Sequence, residues 1–283
     1  MFFLKRSISL TSRLPVNISR ASVHIPEYKC LEVTKEGPAF KIALNIPSTY
    51  NALSYPLLSE LADALWLSNK CKETKFTVVT GKGKFFCSGL DLEHFLKLGT
   101  DGIIETRDEM GKIFEKYVSS FLHHDKLLIG AINGPAIGGG VAMIPYFDYT
   151  ICSDDAYFFT PFTKFGFVPV DLISVYLPRI MGKLRATEVM LLEKKLTSKE
   201  AFDCSLVNEV VKKEDVWKAT MEKVKKFDTY GAEDVKAVKK VIKYDDRRLL
   251  DKKNKAEIKI FYDRLCEPTF IKAIEEYFKN IKK

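Results

Sequence analysis

Ile132-Asn133-Gly134-Pro135-Ala136-Ile137-Gly138-Gly139-Gly140 decides how the rest of this chain is read. The apolar run at 127–133 has the length and composition of a buried strand, and the apolar 141–146 predicts a buried helix. Three consecutive glycines at that junction let backbone amides approach a ligand with no side chain in the way. The positive end of the following helix favours negative charge at the same point. A second junction of this kind lies upstream. Residues 76–80 read as a buried parallel strand ending in Gly81-Lys82-Gly83-Lys84, followed by Phe86-Cys87-Ser88-Gly89-Leu90-Asp91-Leu92. Two N–H groups converging on one oxygen would form an oxyanion hole, worth roughly 3–4 kcal/mol per donor. Taken singly, either loop also fits a tight turn in which glycine serves geometry alone.

Outward from these junctions, strands alternate with helices. Residues 31–34 and 40–44 read as strands joined by a turn at Glu36-Gly37-Pro38. Over 56–69, Leu57, Leu58, Leu61 and Leu65 recur at helical spacing and make one buried face. Residues 102–122 are polar and compatible with a helix. Tyr149–Ser153 and Tyr157–Phe159 are short strands, 206–211 is a strand or extended return, and 174–192 and 198–204 are helical. Thr197-Ser198-Lys199-Glu200 has the form of a capping box. From Lys213 onward the pattern is helical and highly charged. The alternation predicts an α/β fold of stacked βα units with right-handed crossovers.

The 283 residues suffice for one large domain, with or without a small appendage. Hydrophobic residues at 46% and charged residues at 29% argue against disorder. No apolar run approaches the roughly 20 residues of a membrane-spanning helix. The cysteines, Cys30, Cys71, Cys87, Cys152, Cys204 and Cys266, form no CxxC pair; they read as free thiols in a reducing compartment, not as a zinc site. The net charge is +8, and Lys5, Arg6, Arg13 and Arg20 supply half of it before the first acid, Glu27. The rest is interleaved with acids, which reads as a solvated surface and not a nucleic-acid stripe; it also suits a ligand with several phosphates. Residues 1–26 are Arg- and Ser-rich, acid-free and lack the continuous apolar core of a secretory signal. They are expected to be a mitochondrial transit peptide directing the chain to the matrix, with the peroxisome as second choice, although the C-terminal Asn-Ile-Lys-Lys is not a Ser-Lys-Leu address.

Other glycine-rich readings fail. The segment Gly81-Lys82-Gly83-Lys84 lacks the spacing and hydroxyl of a phosphate loop, and no Gly-x-Gly-x-x-Gly stands before an acid. There is no nucleophile elbow. His24 and the adjacent His123-His124 have no evident carboxylate or serine partner, so the histidines read as structural or surface residues.

The loop Phe86-Cys87-Ser88-Gly89-Leu90-Asp91-Leu92 resembles the FCSGxDL loop of the enoyl-CoA hydratase/isomerase (crotonase) superfamily. Tyr50-Asn51-Ala52-Leu53, the 132–140 stretch, Leu196-Thr197-Ser198-Lys199-Glu200-Ala201 and Leu206-Val207-Asn208-Glu209-Val210-Val211 resemble further family motifs, in family order, over about residues 28–281. Phe159-Thr160-Pro161-Phe162, Phe165-Gly166 and Leu177-Pro178-Arg179-Ile180-Met181-Gly182 look most like the Δ3,Δ2-enoyl-CoA isomerase branch. The resemblance implies a crotonase fold of stacked ββα units, a spiral of short parallel sheets. It divides the chain into a transit peptide at 1–26, a core at 27–212 and a helical region at 213–283 that covers the active site and trimerises. It implies oxyanion donors at the N–H of Leu90 and Gly139. Substrate contacts fall at Asn51-Ala52-Leu53, Ser88-Gly89-Leu90-Asp91-Leu92 and Gly138-Gly139. The expected partner is an acyl-CoA in fatty-acid β-oxidation, with coenzyme A entering as part of the substrate and no other cofactor, in a homotrimer or hexamer. In such a fold Asp91 and Asp148 more often cap turns than touch substrate.

The acids depart from the family. Where the hydratases carry two glutamates this chain has Ala142 and Phe162, which argues against hydration. The isomerase glutamate aligns with Val170 in Gly166-Phe167-Val168-Pro169-Val170-Asp171, and valine carries no proton. Asp171 is adjacent, and a small loop rearrangement would bring it into the pocket, where apolar surroundings would raise its pKa toward neutrality. Three readings remain open from sequence: an isomerase with Asp171 as base, a catalytically silent acyl-CoA binder in which Asp171 merely caps the next helix, and a structural role resting on trimerisation.

Overall fold

Every residue of β3 (Phe76–Gly81) is buried, as a strand flanked on both sides and covered on both faces must be. In the computed structural model, which describes residues 23–243 and 247–281, this strand is central to a six-stranded sheet. β1 (Leu31–Glu36) and β2 (Ala39–Leu44) form an antiparallel hairpin about Gly37. From β2 the sheet continues parallel through β3, β4 (Leu127–Ile132), β6 (Tyr149–Ser153) and β9 (Glu209–Val211). A smaller sheet joins β5 (Ala136–Ile137), β7 (Tyr157–Phe159) and β8 (Leu196–Thr197).

The connections supply the second layer. α1 (Tyr55–Lys70) begins at Ser54, whose hydroxyl accepts from Leu57 N–H, and buries the predicted leucine face against the sheet. α2 (Leu92–Leu122) starts ten residues earlier than expected because Asp91 caps it, accepting from His94 N–H at 3.2 Å; Gly99 breaks its helical geometry. The helix expected at 141–146 is shorter. α3 (Gly139–Ala142) gives way to a 3₁₀ turn at Ile144–Tyr146, because Pro145 offers no N–H to continue the α ladder. α4 (Phe162–Phe165) and α5 (Ile173–Met190) follow. The predicted capping box opens α6 (Ser198–Asp203), with Thr197 and Glu200 bonding each other's backbone amides. The extended return expected over 206–211 pairs only at its end, as β9.

α7 (Val216–Phe227) and α8 (Ala232–Ile242) pack on the sheet, while α9 (Arg247–Leu265) lies along α2 and α10 (Pro268–Ile281) against α2 and α4. Phe261, Phe270 and Ile274 are buried within the subunit, so they need no neighbouring chain. The described part of α8 differs: Val238, Val241 and Ile242 are 59%, 74% and 76% exposed. The expected transit peptide lies almost wholly outside the described residues. No described helix is long and apolar enough to cross a membrane.

Candidate active site

The two glycine junctions meet. Cys87 pairs with Ala136 in a parallel bridge, Ile137 N–H donates to Cys87 O at 2.9 Å, and Gly138 N–H donates to Phe159 O at 2.8 Å. Gly89 has φ +85°, and a β-carbon there would lie 2.7 Å from Ile137 O, so only glycine admits this approach. Gly138, with φ +51° and ψ −114°, turns the chain into α3. Leu53 binds Gly89 O through its amide and Asp91 N–H through its carbonyl, which directs the Leu90 N–H away from residue 53. Gly139 is the first residue of α3, where the helix offers its amide no internal acceptor. Both expected oxyanion amides thus belong to loops in mutual contact.

A cleft of about 300 Å³ opens beside the Leu90 loop, and neither Gly139 nor Asp171 belongs to its lining. Ser88, Gly89, Leu90, Leu92 and Gly138 line it, five of the residues expected to contact substrate. Asn51 does not: its side chain accepts from Ile46 N–H and donates to the carbonyls of Lys82, Phe85 and Phe86, which holds the loop from behind. Ala52 and Leu53 are buried, and Asp91 serves as the α2 cap. Sequence reasoning missed most of the wall, which is aromatic: Tyr50, Phe85, Tyr157, Phe165, Phe167 and, from α10, Tyr277. The aromatic density of 157–167 is the one signal that pointed there. Lys164 is the cation of the lining, its ammonium 5.2 Å from the Tyr277 ring centroid.

Asp171 is 2% exposed. It does not cap α5: the N-cap is Leu172, with no side-chain cap bond, and Asp171 Oδ1 has no hydrogen-bond partner. Instead the carboxyl faces the second glycine turn. A β-carbon built on Gly139 would meet Leu53 Cδ1 at 2.5 Å and Asp171 Oδ2 at 4.0 Å. Burial first, and then the neighbouring Glu257 carboxylate, push the Asp171 pKa up to about 7. Val170 is buried beside it, and the glutamate-free positions Ala142 and Phe162 are buried too. Glu257, on α9, is the functional candidate that the sequence did not disclose.

Three further polar residues that the sequence singled out have structural partners. His124 Nε2 meets Thr77 Oγ1, and His123 has a carboxylate neighbour after all, Asp251 at 3.4 Å, brought by α9. Asp148 accepts from Leu128 N–H and pairs with Lys239 and Lys243, tying α8 to the sheet. A larger cavity, about 680 Å³, lies over this ion pair between Phe147 and α8, away from both glycine turns.

An α/β frame that sets two glycine-loop amides beside an aromatic cleft and a buried carboxyl is suited to stabilising an oxyanion next to a proton carrier. Comparison places the chain: residues 34–282 match the enoyl-CoA hydratase/isomerase family, and the chain belongs to it. It is 30% identical over 280 residues to human enoyl-CoA delta isomerase 2, covering 99% of this chain and 70% of that one. To mouse enoyl-CoA delta isomerase 3, peroxisomal, it is 29% identical over 281 residues, covering 99% and 88%. Among solved structures, the enoyl-CoA hydratase/isomerase of Pseudoalteromonas atlantica superposes with a TM-score of 0.79 at 27% identity, covering 89% of this chain and 98% of that one.

Gly89→Ala is expected to destabilise the fold by about 1–3 kcal/mol, through the left-handed backbone and the collision with Ile137 O. Gly37→Ala, also left-handed but with nothing within 4 Å, should cost no more than about 1–2 kcal/mol. Urea denaturation compares the two; a Gly89→Ala variant no worse than Gly37→Ala would mean that the loops are not held in contact.

Proposed function

We propose that this protein is an isomerase that moves a 3-enoyl-CoA double bond to the 2 position in fatty-acid β-oxidation. The observation that carries the reading is the buried Asp171 carboxyl at the Gly139 turn, whose Oδ1 has no hydrogen-bond partner. An orphan carboxyl oxygen in a native interior is destabilising by about 1–3 kcal/mol, which is understandable where the group serves chemistry. Asp171 takes the C2 proton of the thioester, and the electrons of that bond form an enolate whose oxygen accepts from Leu90 and Gly139 N–H. Asp171 then returns the proton at C4, so the double bond moves and no net oxidation occurs. Coenzyme A enters only as part of the substrate, its phosphates suited to cations such as Lys164. With alanine and phenylalanine at 142 and 162, the paired carboxylates that hold the attacking water in the hydratases are missing, which argues against hydration. The second reading, a silent acyl-CoA binder, draws on Val170.

Asp171→Asn is expected to lower isomerisation about 10²–10⁴-fold while acyl-CoA binding persists. A carboxylate base must be deprotonated, so kcat/KM should rise with pH through about 7 in the wild type and lose that limb in the variant. The folded-state pKa is raised, so the folded protein holds this proton after the unfolded chain has lost it. Wild-type stability should therefore fall, relative to Asp171→Asn, between about pH 4 and 7. Full activity in Asp171→Asn would overturn the assignment, and an inactive wild type that binds acyl-CoA would establish the silent reading, in which Val170→Glu could restore turnover.

The assembly and compartment are part of the same proposal. The exposed apolar positions of α8 support a homotrimer or hexamer; light scattering that shows a monomer at micromolar concentration would overturn it. The acid-free 1–26 segment supports import into mitochondria, and a relative named peroxisomal keeps that compartment as the alternative. A fluorescent fusion of the first 30 residues is expected to reach mitochondria, and its staying cytosolic would refute the targeting.

A further inference from the structure

Asp171 and Leu172 are consecutive residues in the left-handed region, with φ +61° and +59°. Side chains of this size occupy that region only where the surroundings hold them there. Here the peptide between the two is gripped at both ends. Its carbonyl, Asp171 O, accepts from the Tyr146 hydroxyl at 2.7 Å. Its amide, Leu172 N–H, donates to Glu257 Oε2 at 2.9 Å. The other oxygen of Glu257 accepts from Ser174 Oγ, so one carboxylate joins both sides of the corner that opens α5. Glu257 is 5% exposed and comes from α9, with no local reason to be buried in a lysine-rich helix.

We infer that Glu257, acting with Tyr146 at the opposite end of the same peptide, is the positioning residue that aims the Asp171 carboxyl at the Gly139 turn. The inference rests on the reading of Asp171 as the base. Glu257 would act in two ways. Its oxygens fix the direction of the 171–172 peptide, and its charge bears on the Asp171 carboxyl. Burial raises the pKa of Glu257 too, but its two donors, Ser174 Oγ and Leu172 N–H, pull the other way, whereas Asp171 Oδ1 has no donor. Burial holds Tyr117 of α2, Tyr146 of the 3₁₀ turn and Tyr262 of α9 protonated at this corner, while Lys243 donates to the Tyr146 carbonyl and Arg179 of α5 lines a cavity with Tyr146 and Tyr176. Tyr176 of α5 faces Tyr146, and Lys253 of α9 faces Glu257. The neighbouring charge that bears on Asp171 is that of Glu257.

Glu257→Gln keeps an acceptor for Leu172 N–H and a partner for Ser174 Oγ but removes the charge, whereas Glu257→Ala removes both. Carbon-13 carboxyl NMR of the full chain reads the Asp171 titration without turnover, and the pH profile of 3-enoyl-CoA isomerisation reads it during turnover. In Glu257→Gln both are expected to move down by about one pH unit or more. Glu257→Ala is expected to lower kcat about 10²-fold with little change in KM. Glu257→Gln should retain at least ten times the kcat of Glu257→Ala. An unshifted Asp171 titration in a folded Glu257→Gln protein would overturn the inference, as would equal kcat in the two variants. A wild type without isomerase activity would sink the Asp171 reading alone, because the NMR titration still reports whether Glu257 governs that carboxyl.

Discussion

The approach of Gly89 to the Ile137 carbonyl is the constraint on which the site depends. At this point two connections, one leaving β3 and one leaving β4, pass each other with no space for a single methyl group. The parallel sheet makes that possible, because neighbouring parallel strands end on the same side and discharge their loops together. The Cys87–Ala136 bridge extends the pairing of β3 and β4 beyond the sheet, and Leu53 adds a third segment through its bonds to Gly89 and Asp91. Asn51 and Asn133 then serve as side-chain substitutes for backbone pairing. Asn133 accepts from Gly81 N–H and donates to Gly83 O, while Asn51 gathers three carbonyls of the same loop. Backbone amides can be aimed with this accuracy because so little side chain intervenes.

The acid corner is built on the opposite principle. Around Gly89 the absence of side chain lets backbone segments meet; around Asp171 two consecutive large residues are held left-handed and a carboxyl oxygen is left without a partner. Both costs fall on residues within reach of the Gly139 turn. A structural aspartate would gain by accepting the free amides at the start of α5, yet Glu257 takes Leu172 N–H instead. The two acids therefore differ physically: Glu257 is hydrogen-bonded through both oxygens, while Asp171 has an oxygen without a donor and a pKa pushed up to about 7.

The parts legible in the sequence were those governed by local rules. The glycine junctions, the β-branched and apolar runs of β3 and β4, the α1 leucine face and the Thr197–Glu200 box each announce themselves within ten residues. Two-residue strands such as β5 and β8 are too short for any periodicity, and α2 was read short because Gly99 interrupts its pattern just after the Asp91 cap. Asp171 drew notice only by standing next to Val170, and its helix-capping alternative could be set aside only when the side chain was seen to make no cap bond. Glu257 was invisible for a different reason. It lies in a segment whose Lys and Asp content reads as a solvated face, and its burial exists only because α9 docks along α2 and reaches the corner before α5.

That docking links the proposed site to the C-terminal helices in a second way. Phe167, on the loop leading to Asp171, has its ring 5.8 Å from Phe261 of α9 and 5.9 Å from Phe270 of α10, while Phe165 meets Tyr277 at 5.2 Å. The same loop thus supplies a cleft wall at 165–167 and the acid at 171; α9 backs both, and α10 backs the wall. Aromatic contacts of this kind contribute about 0.5–1.5 kcal/mol each beyond their burial, and they exclude water. Water exclusion raises a carboxyl's pKa and strengthens an amide's pull on an oxyanion, so one packing arrangement serves both halves of the chemistry. Loosening α9 would admit water to the cleft and release the 171–172 peptide together, which makes that helix as much a part of the proposed site as the glycine loops.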